Sequence, residues 1–245
     1  MKKLFVTGLS SDVAMAYLKR LDARGEKLEV WGTCHTNGEM LRDTMKKLQS
    51  VNAHALSCDL SDEEQLLELA DWLKKERVPF DGYLHCASSH IIYKRFKDFD
   101  WEATKRAMDV KIGVFAAICR VLAPVMAKNE GGRIAAVASS CCFGAPPDHM
   151  ADYVITNHAL VGLVKVLAKE YGKKGVCINA ISPGMIKTKF LNNIDERQVE
   201  IIAEKTELGR TVSLDEVSAG IDYLLSAEAS CINGINLNLS GGEYM

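Results

Sequence analysis

Short apolar runs alternate with longer stretches of helical periodicity along this chain, and the alternation limits the folds open to it. Each run has the length of a buried strand, and a polar turn and a helical pattern follow it. Strands that alternate with helices form a parallel sheet with helices on both faces. The sequence therefore predicts an α/β fold, a single domain over residues 1–245 with a doubly wound parallel sheet. The predicted strands are Leu4–Val6, Leu28–Cys34, Ala53–Cys58, Phe80–Ala87, Ile134–Ser139 and Val176–Ile181, with a further one near the C-terminus.

The composition is that of an ordinary globular protein. Of 245 residues, 48% are hydrophobic and 25% are charged, and the formal net charge is −2. Mixed charges of this kind do not indicate a nucleic-acid or membrane surface. The eight cysteines include no CxxC pair, and most of them lie in apolar patterns where cysteine acts as a small hydrophobe. We therefore expect a reduced, cytoplasmic protein.

The segment 132–184 carries the groups of a proton-transfer site. A strand of small residues ends in the hydroxyls of Ser139 and Ser140, and Tyr153 stands at the start of the next helical pattern. The segment closes with Pro183-Gly184 after the next strand. The carboxyl ends of parallel strands meet at one edge of the sheet, so we expect these groups to lie together.

This layout resembles the short-chain dehydrogenase/reductase family, whose catalytic core is a serine, a tyrosine and a lysine four residues after the tyrosine. The resemblance implies a Rossmann-like fold and identifies Tyr153 as the catalytic tyrosine. Counting along the strand makes Ser139 the catalytic serine, whereas counting back from the tyrosine makes it Ser140. The lysine position holds Asn157, and the position of the family's helix asparagine holds Lys111. We therefore expect Lys111 to replace part of the lost charge, beside the Tyr153 phenol and the Asn157 amide.

The first strand runs into a small polar turn and a helix, a layout that places helix N-terminal amides against a phosphate. Gly8 is the one glycine of this turn, because Asp12 and Ala14 occupy the family's other glycine positions. The turn instead resembles the family's enoyl-acyl carrier protein reductase branch, which ends in Ala-Tyr as Ala16-Tyr17 does here. The resemblance implies phosphate contacts at Gly8, Ser10 and Ser11.

The second strand is followed by His35 and no carboxylate before Glu39, which favours NADP over NAD as the cofactor. Either His35 or Arg42 would meet the additional phosphate. His85 and His90 flank the end of the fourth strand, but no third ligand accompanies them, and we predict no metal site. The remaining cofactor contacts that the resemblance implies are Asp59, Ala87, Pro183, Gly184, Ile186 and Thr188.

The resemblance implies an NADP-dependent oxidoreductase, a carbonyl or acyl-thioester reductase with an altered site that uses Lys111 or His158 as its cation. One alternative is a degenerate member that binds a nucleotide or acyl ligand as a sensor or partner subunit. Another is a dehydratase or isomerase on the same scaffold, because a fold does not fix a function. The family's helix contacts also imply a homotetramer or a homodimer.

Overall fold

The computed structural model of the chain describes residues 2–35, 38–75, 79–186 and 196–243. Its strands are β1 Lys2–Thr7, β2 Leu28–Cys34, β3 Val51–Ser57, β4 Gly82–His85, β5 Gly132–Val137, β6 Val176–Pro183 and β7 Asn236–Leu239. Its α-helices are α1 Asp12–Ala23, α2 Gly38–Met45, α3 Glu63–Lys75, α4 Trp101–Met108, α5 Val114–Lys128, α6 Ala151–Gly172, α7 Glu196–Lys205 and α8 Leu214–Leu225.

The strands form one parallel sheet in the order β3-β2-β1-β4-β5-β6-β7. The order reverses between β1 and β4, where Leu4 pairs with Val30 on one side and with Gly82 on the other. A crevice opens at such a switch point, outside the carboxyl ends of the strands. The prediction of a doubly wound, Rossmann-like parallel sheet is confirmed.

Helices cover both faces of the sheet. On one face α3, α5 and α6 pack around Phe5, Tyr83 and Phe115, which are fully buried. On the other face α1 and α8 pack around residues such as Leu9 and Leu18. Burial of an apolar side chain of this size stabilises a fold by about 1.5–3 kcal/mol. The two cores therefore fix the sheet edge where the site residues lie.

Small and apolar residues at helical spacing predict one helix from Trp101 to Ala127, but the structure interrupts it. A π-helical turn, Asp109–Gly113, separates α4 from α5, and the amide of Val114 donates to the carbonyl of Asp109 five residues earlier. Single π-helical turns insert an additional residue into an α-helix and are frequent at functional sites. Here the turn carries Lys111, which is 5% exposed.

By length and composition, the stretches Trp101–Lys128 and Ala151–Gly172 could each cross a membrane. Both nevertheless pack against the sheet, where Phe115 and Leu160 are fully buried. On the outer side of α6, the apolar side chains of Ile155 and Val166 are exposed in a single chain.

Candidate active site

A cavity of about 960 Å³ lies at the carboxyl ends of the strands. Its volume is at the upper end of the range for ligand pockets. Asn157 is not part of its wall in the described structure, and Thr188 lies outside the described residues. Arg42 and His158, the alternatives to His35 and Lys111, are not part of the wall either. The remaining predicted site residues line it: Gly8, Ser10, Ser11, His35, Asp59, Ala87, Lys111, Ser139, Ser140, Tyr153, Pro183, Gly184 and Ile186.

Ser139 and Tyr153 meet in this cavity. Ser139 follows β5, Tyr153 lies in the first turn of α6, and the Ser139 hydroxyl is near enough to the phenol to lower its pKa. The amide of Cys141 also donates to Ser139 Oγ at 3.3 Å. The backbone stays extended through Ser139 and then enters a 3₁₀ turn at Ser140. The chain therefore changes direction after Ser139. Ser139, and not Ser140, is the serine whose hydroxyl acts on Tyr153.

Burial raises the pKa of Tyr153 above its usual value, and the Ser139 hydroxyl opposes this rise. A buried phenol loses the hydration that would stabilise its anion. Tyr153 is therefore protonated at neutral pH. A raised pKa also makes it a weaker acid, so it can donate this proton efficiently only if a nearby group stabilises the phenolate.

Lys111 brings a buried cation to the same cavity. Its Nζ donates to the carbonyl oxygen of Val137 at 2.8 Å. Burial lowers its pKa to about 8, and the thiols of Cys86, Cys141 and Cys142 act in the opposite direction. Asp109 and Asp152 are carboxylates that Lys111 could have paired with, but among the described residues neither forms an ion pair with it or shifts its pKa. The partner of its ammonium is Val137, where the sequence had suggested Tyr153 and Asn157.

Asn157 turns back onto its own helix. Its Nδ2 donates to the carbonyl of Tyr153 at 2.8 Å, and the residue is fully buried. Among the described residues its Oδ1 has no hydrogen-bond partner. His158, the other candidate cation, is exposed and bonded through Nδ1 to the Val154 carbonyl at 2.9 Å. Of the two candidate cations, Lys111 is the one that reaches the cavity.

The opposite end of the cavity contains His35 and Asp59. Nδ1 of His35 lies 3.7 Å from a carboxylate oxygen of Asp59. Hydrogen bonds from the hydroxyl and amide of Ser61 lower the pKa of Asp59. The carboxylate is therefore ionised at neutral pH beside an imidazole that is 59% exposed at its side chain.

Gly8 and Ser11 shape the turn between β1 and α1. Gly8 has φ +74°, and a Cβ there would lie 3.0 Å from the amide nitrogen of Ala87. Only glycine accepts both the conformation and the close approach. Ser11 caps the helix, because its Oγ accepts from the amide of Ala14 at 3.2 Å. The turn thus holds the start of α1 against the end of β4.

Sequence reasoning missed several parts of the site. His85 was considered with His90 as a metal pair, but His85 is fully buried and bonded at both ring nitrogens. No group of three potential metal ligands occurs in the part of the chain that the structure describes. The apolar wall was also missed, because its members come from segments far apart in the sequence: Ile91, Tyr93, Pro147, Met150, Ile201 and Ile202.

The fold and the Ser139–Tyr153 pair define the class of protein. A family model described as enoyl-(acyl carrier protein) reductase matches residues 8–243. The chain belongs to the short-chain dehydrogenase/reductase family.

Individual relatives match over most of their length. The 3-oxoacyl-(acyl-carrier-protein) reductase FabG of Rickettsia typhi is 26% identical over 247 residues, covering 100% of this chain and 97% of that protein. The uncharacterized oxidoreductase YmfI of Bacillus subtilis is 29% identical, covering 99% of each. A short-chain type dehydrogenase/reductase from Mycobacterium ulcerans superposes with a TM-score of 0.87 at 24% identity, covering 99% of this chain and 89% of that chain.

Proposed function

We propose that this protein is an NADP-dependent oxidoreductase that reduces the carbonyl group of an apolar ketone or acyl thioester. The observation that carries the proposal is that the Tyr153 phenol, the Ser139 hydroxyl that acts on it and the side chain of Lys111 line one cavity. The name of the Rickettsia relative, a 3-oxoacyl-(acyl-carrier-protein) reductase, supports the same reaction class.

The cavity fits a dinucleotide. It is about 960 Å³ in volume and extends from the His35–Asp59 end, past the N-terminus of α1, to Tyr153. His35 and Asp59 would hold the adenosine end, and His35 would meet the additional phosphate of NADP. Gly8, Ser10 and Ser11 would lie along the phosphates, whereas Ala87, Pro183, Gly184 and Ile186 would lie towards the nicotinamide, with Thr188 expected there from the sequence. The bound cofactor supplies the hydride.

The protein supplies the proton and the orientation. Ser139 would donate a hydrogen bond to the substrate carbonyl oxygen and polarise it. Tyr153, protonated because burial raises its pKa, would donate its proton to the same oxygen. The phenolate that forms would be stabilised by a cation in the same low-dielectric cavity. We assign that role to Lys111, which is largely protonated at pH 7 because its pKa is about 8.

In this assignment the lysine and the asparagine of the family's active site have exchanged positions. The lysine position holds Asn157, whose amide is bonded within its own helix, and the helix-asparagine position holds Lys111, which faces the cavity. The cation would then approach from the π-helical turn between α4 and α5 instead of from α6.

The substrate class follows from the rest of the wall. Ile91, Tyr93 and Met150 line the cavity together with Tyr153, and α7 adds Ile201 and Ile202. An apolar wall beside the proton donor favours substrates with an aliphatic or acyl group next to the carbonyl.

We also propose the setting in which this enzyme works. The exposed apolar side chains of Ile155 and Val166 on α6 support a homodimer, or a homotetramer with a second contact. All eight cysteines are free thiols, which supports a reducing, cytoplasmic compartment. The whole chain, residues 1–245, would act as one domain.

The test combines binding and turnover. We expect NADPH to bind more tightly than NADH in a fluorescence titration. We expect NADPH oxidation with a panel of ketones and β-ketoacyl thioesters, and we expect Lys111→Met to lose most of it. Turnover that Lys111→Met leaves unchanged would refute the role of Lys111. If the parent is inactive and Asn157→Lys restores activity, the protein is a ligand-binding member of the family and not an enzyme.

A further inference from the structure

A fully buried histidine connects two central strands to the π-helical turn. His85 is the last residue of β4. Its Nδ1 lies 2.7 Å from Thr7 Oγ1 and 3.0 Å from the Tyr83 hydroxyl. Its Nε2 lies 2.9 Å from the carbonyl oxygen of Lys111. Both ring nitrogens are therefore engaged, and the ring is not part of the described cavity wall.

The partners of His85 fix its tautomer. A carbonyl oxygen can only accept, so Nε2 carries the hydrogen and donates to Lys111. Burial, together with the nearby Lys111 cation, lowers the pKa of His85 to about 3. The ring is therefore neutral, and Nδ1 accepts from a hydroxyl of Thr7 or Tyr83. His85 is a permanent donor aimed at the backbone of the turn.

Lys111 is consequently held at both ends. Its backbone carbonyl accepts from His85 on β4, and its Nζ donates to Val137 on β5. These two strands are neighbours in the centre of the sheet, with His85 paired to Ala136. A π-helical turn departs from the regular i to i−4 hydrogen bonds of an α-helix. A donor on a rigid strand would fix the geometry of this turn.

We infer that His85 is a positioning residue for Lys111: its Nε2–H holds the π-helical turn so that the ammonium enters the cavity beside Ser139 and Tyr153. The inference rests on the function proposed above for Lys111. The competing interpretation is that His85 only fills the core, since its ring also packs 5.3 Å from that of Phe115. The two interpretations differ in what happens to Lys111 when the Nε2 donor alone is lost.

A matched pair of neutral substitutions separates them. In His85→Gln the side-chain amide reaches the place of Nε2 and keeps a donor for Lys111. In His85→Asn the shorter amide reaches the place of Nδ1, keeps the contact with Thr7 and Tyr83, and loses the donor to Lys111. Neither variant changes the charge beside the ammonium, which also faces the thiols of Cys86, Cys141 and Cys142. Tyr83→Phe is the control, because it removes a hydroxyl at Nδ1 only.

The first readout needs neither cofactor nor turnover. The titration of Lys111 is followed by NMR of the protein with ¹³C-labelled lysine side chains, and Lys111→Met identifies the resonance. We expect His85→Asn to move the midpoint by at least about half a pH unit, because the ammonium changes its surroundings. We expect His85→Gln and Tyr83→Phe to leave it in place. Equal midpoints in His85→Asn and His85→Gln, or an equal shift in Tyr83→Phe, would overturn the inference.

The second readout is kcat/KM for NADPH oxidation as a function of pH. Small displacements of a catalytic group reduce rates strongly, so we expect His85→Asn to lose about tenfold to a hundredfold and His85→Gln to stay within about threefold of the parent. Thermal unfolding of each variant controls for stability. If the parent has no turnover, the proposed function fails, while the NMR titration still decides whether His85 positions Lys111. If His85→Gln does not fold, the titration midpoint of Lys111 in His85→Asn is compared with that in Tyr83→Phe. The first variant loses the donor at Nε2, and the second loses only a hydroxyl at Nδ1.

Discussion

The ammonium of Lys111 and the carbonyl oxygen of Val137 lie 2.8 Å apart. The bond joins the π-helical turn to the end of β5, two residues before Ser139. Burying an ammonium with one carbonyl partner is costly, because a single dipole replaces a full shell of water. A protein retains such a group when ligand binding or catalysis requires it, and this is the basis for the role assigned to Lys111.

The first prediction concerns stability. At pH 7 we expect Lys111→Met to unfold at a higher denaturant concentration than the parent. The pKa of Lys111 is lowered from 10.5 to about 8, which corresponds to about 3 kcal/mol of unfavourable burial. Below pH 8 both folded and unfolded chains carry the proton, so the full cost applies. Between pH 8 and 10.5 the folded chain has lost the proton that the unfolded chain retains, so the cost declines.

The free energy of unfolding of Lys111→Met should therefore exceed that of the parent by less and less as the pH rises from 8 to 10. Urea unfolding at several pH values measures this difference. Lys165→Met is the control, because Lys165 is exposed on α6 and its removal should change stability little at any pH. A difference between Lys111→Met and the parent that does not vary with pH would contradict the prediction.

The second prediction separates the two serines. Ser139→Ala should reduce kcat/KM for carbonyl reduction by about 10²–10³, because it removes a hydrogen bond to the developing oxyanion. Ser140→Ala should have a much smaller effect, since the hydroxyl that acts on the Tyr153 phenol is that of Ser139. Steady-state kinetics of both variants, with Tyr153→Phe as the inactive reference, measures this. A larger loss in Ser140→Ala would reverse the assignment.

The third prediction concerns cofactor choice. His35→Ala should weaken NADPH binding by about tenfold, the scale of one hydrogen bond to a charged group, and should leave NADH binding nearly unchanged. Dissociation constants from fluorescence titration measure both. His54→Ala is the matched control, because His54 stacks on Trp31 at 4.0 Å between ring centroids and does not line the cavity. Equal losses of affinity for NADPH and NADH would show that His35 does not contact the additional phosphate of NADPH.

The fourth prediction concerns assembly. Val166 on α6 is 62% exposed in the single chain, and Leu67 on α3 is 60% exposed. If α6 forms the contact between copies, Val166→Glu should dissociate the oligomer, because it places a charge in an apolar interface. Leu67→Glu should leave the mass in solution unchanged. Light scattering at micromolar protein concentration measures the molecular mass of the parent and of both variants. A monomeric parent would refute the expected dimer or tetramer.

The sequence by itself determined the elements and their order. The apolar run of β2 predicts Leu28–Cys34, which are its observed bounds. The helical pattern that contains Tyr153 predicts Asp152–Tyr171, and the observed α6 is Ala151–Gly172. These features depend on local periodicity, which the residues of one segment carry alone. The topology followed, because parallel strands joined by helices admit few arrangements. Tyr153 and Gly8 could likewise be found from their place in a strand-turn-helix pattern.

Only the tertiary structure decided how the site residues meet. The choice between Ser139 and Ser140 depended on the residue at which the extended backbone of β5 ends. Counting along the strand and counting back from Tyr153 place that residue differently, so the sequence left both serines open. The side chain of Lys111 could have paired with Asp109, Asp152 or Tyr153, yet it bonds to Val137 on another strand. The π-helical turn and its contact with His85 join residues 26 positions apart. Such contacts depend on the packing of α4 and α5 against the sheet, because a hydrogen bond between distant segments leaves no local periodicity by which a sequence could reveal it.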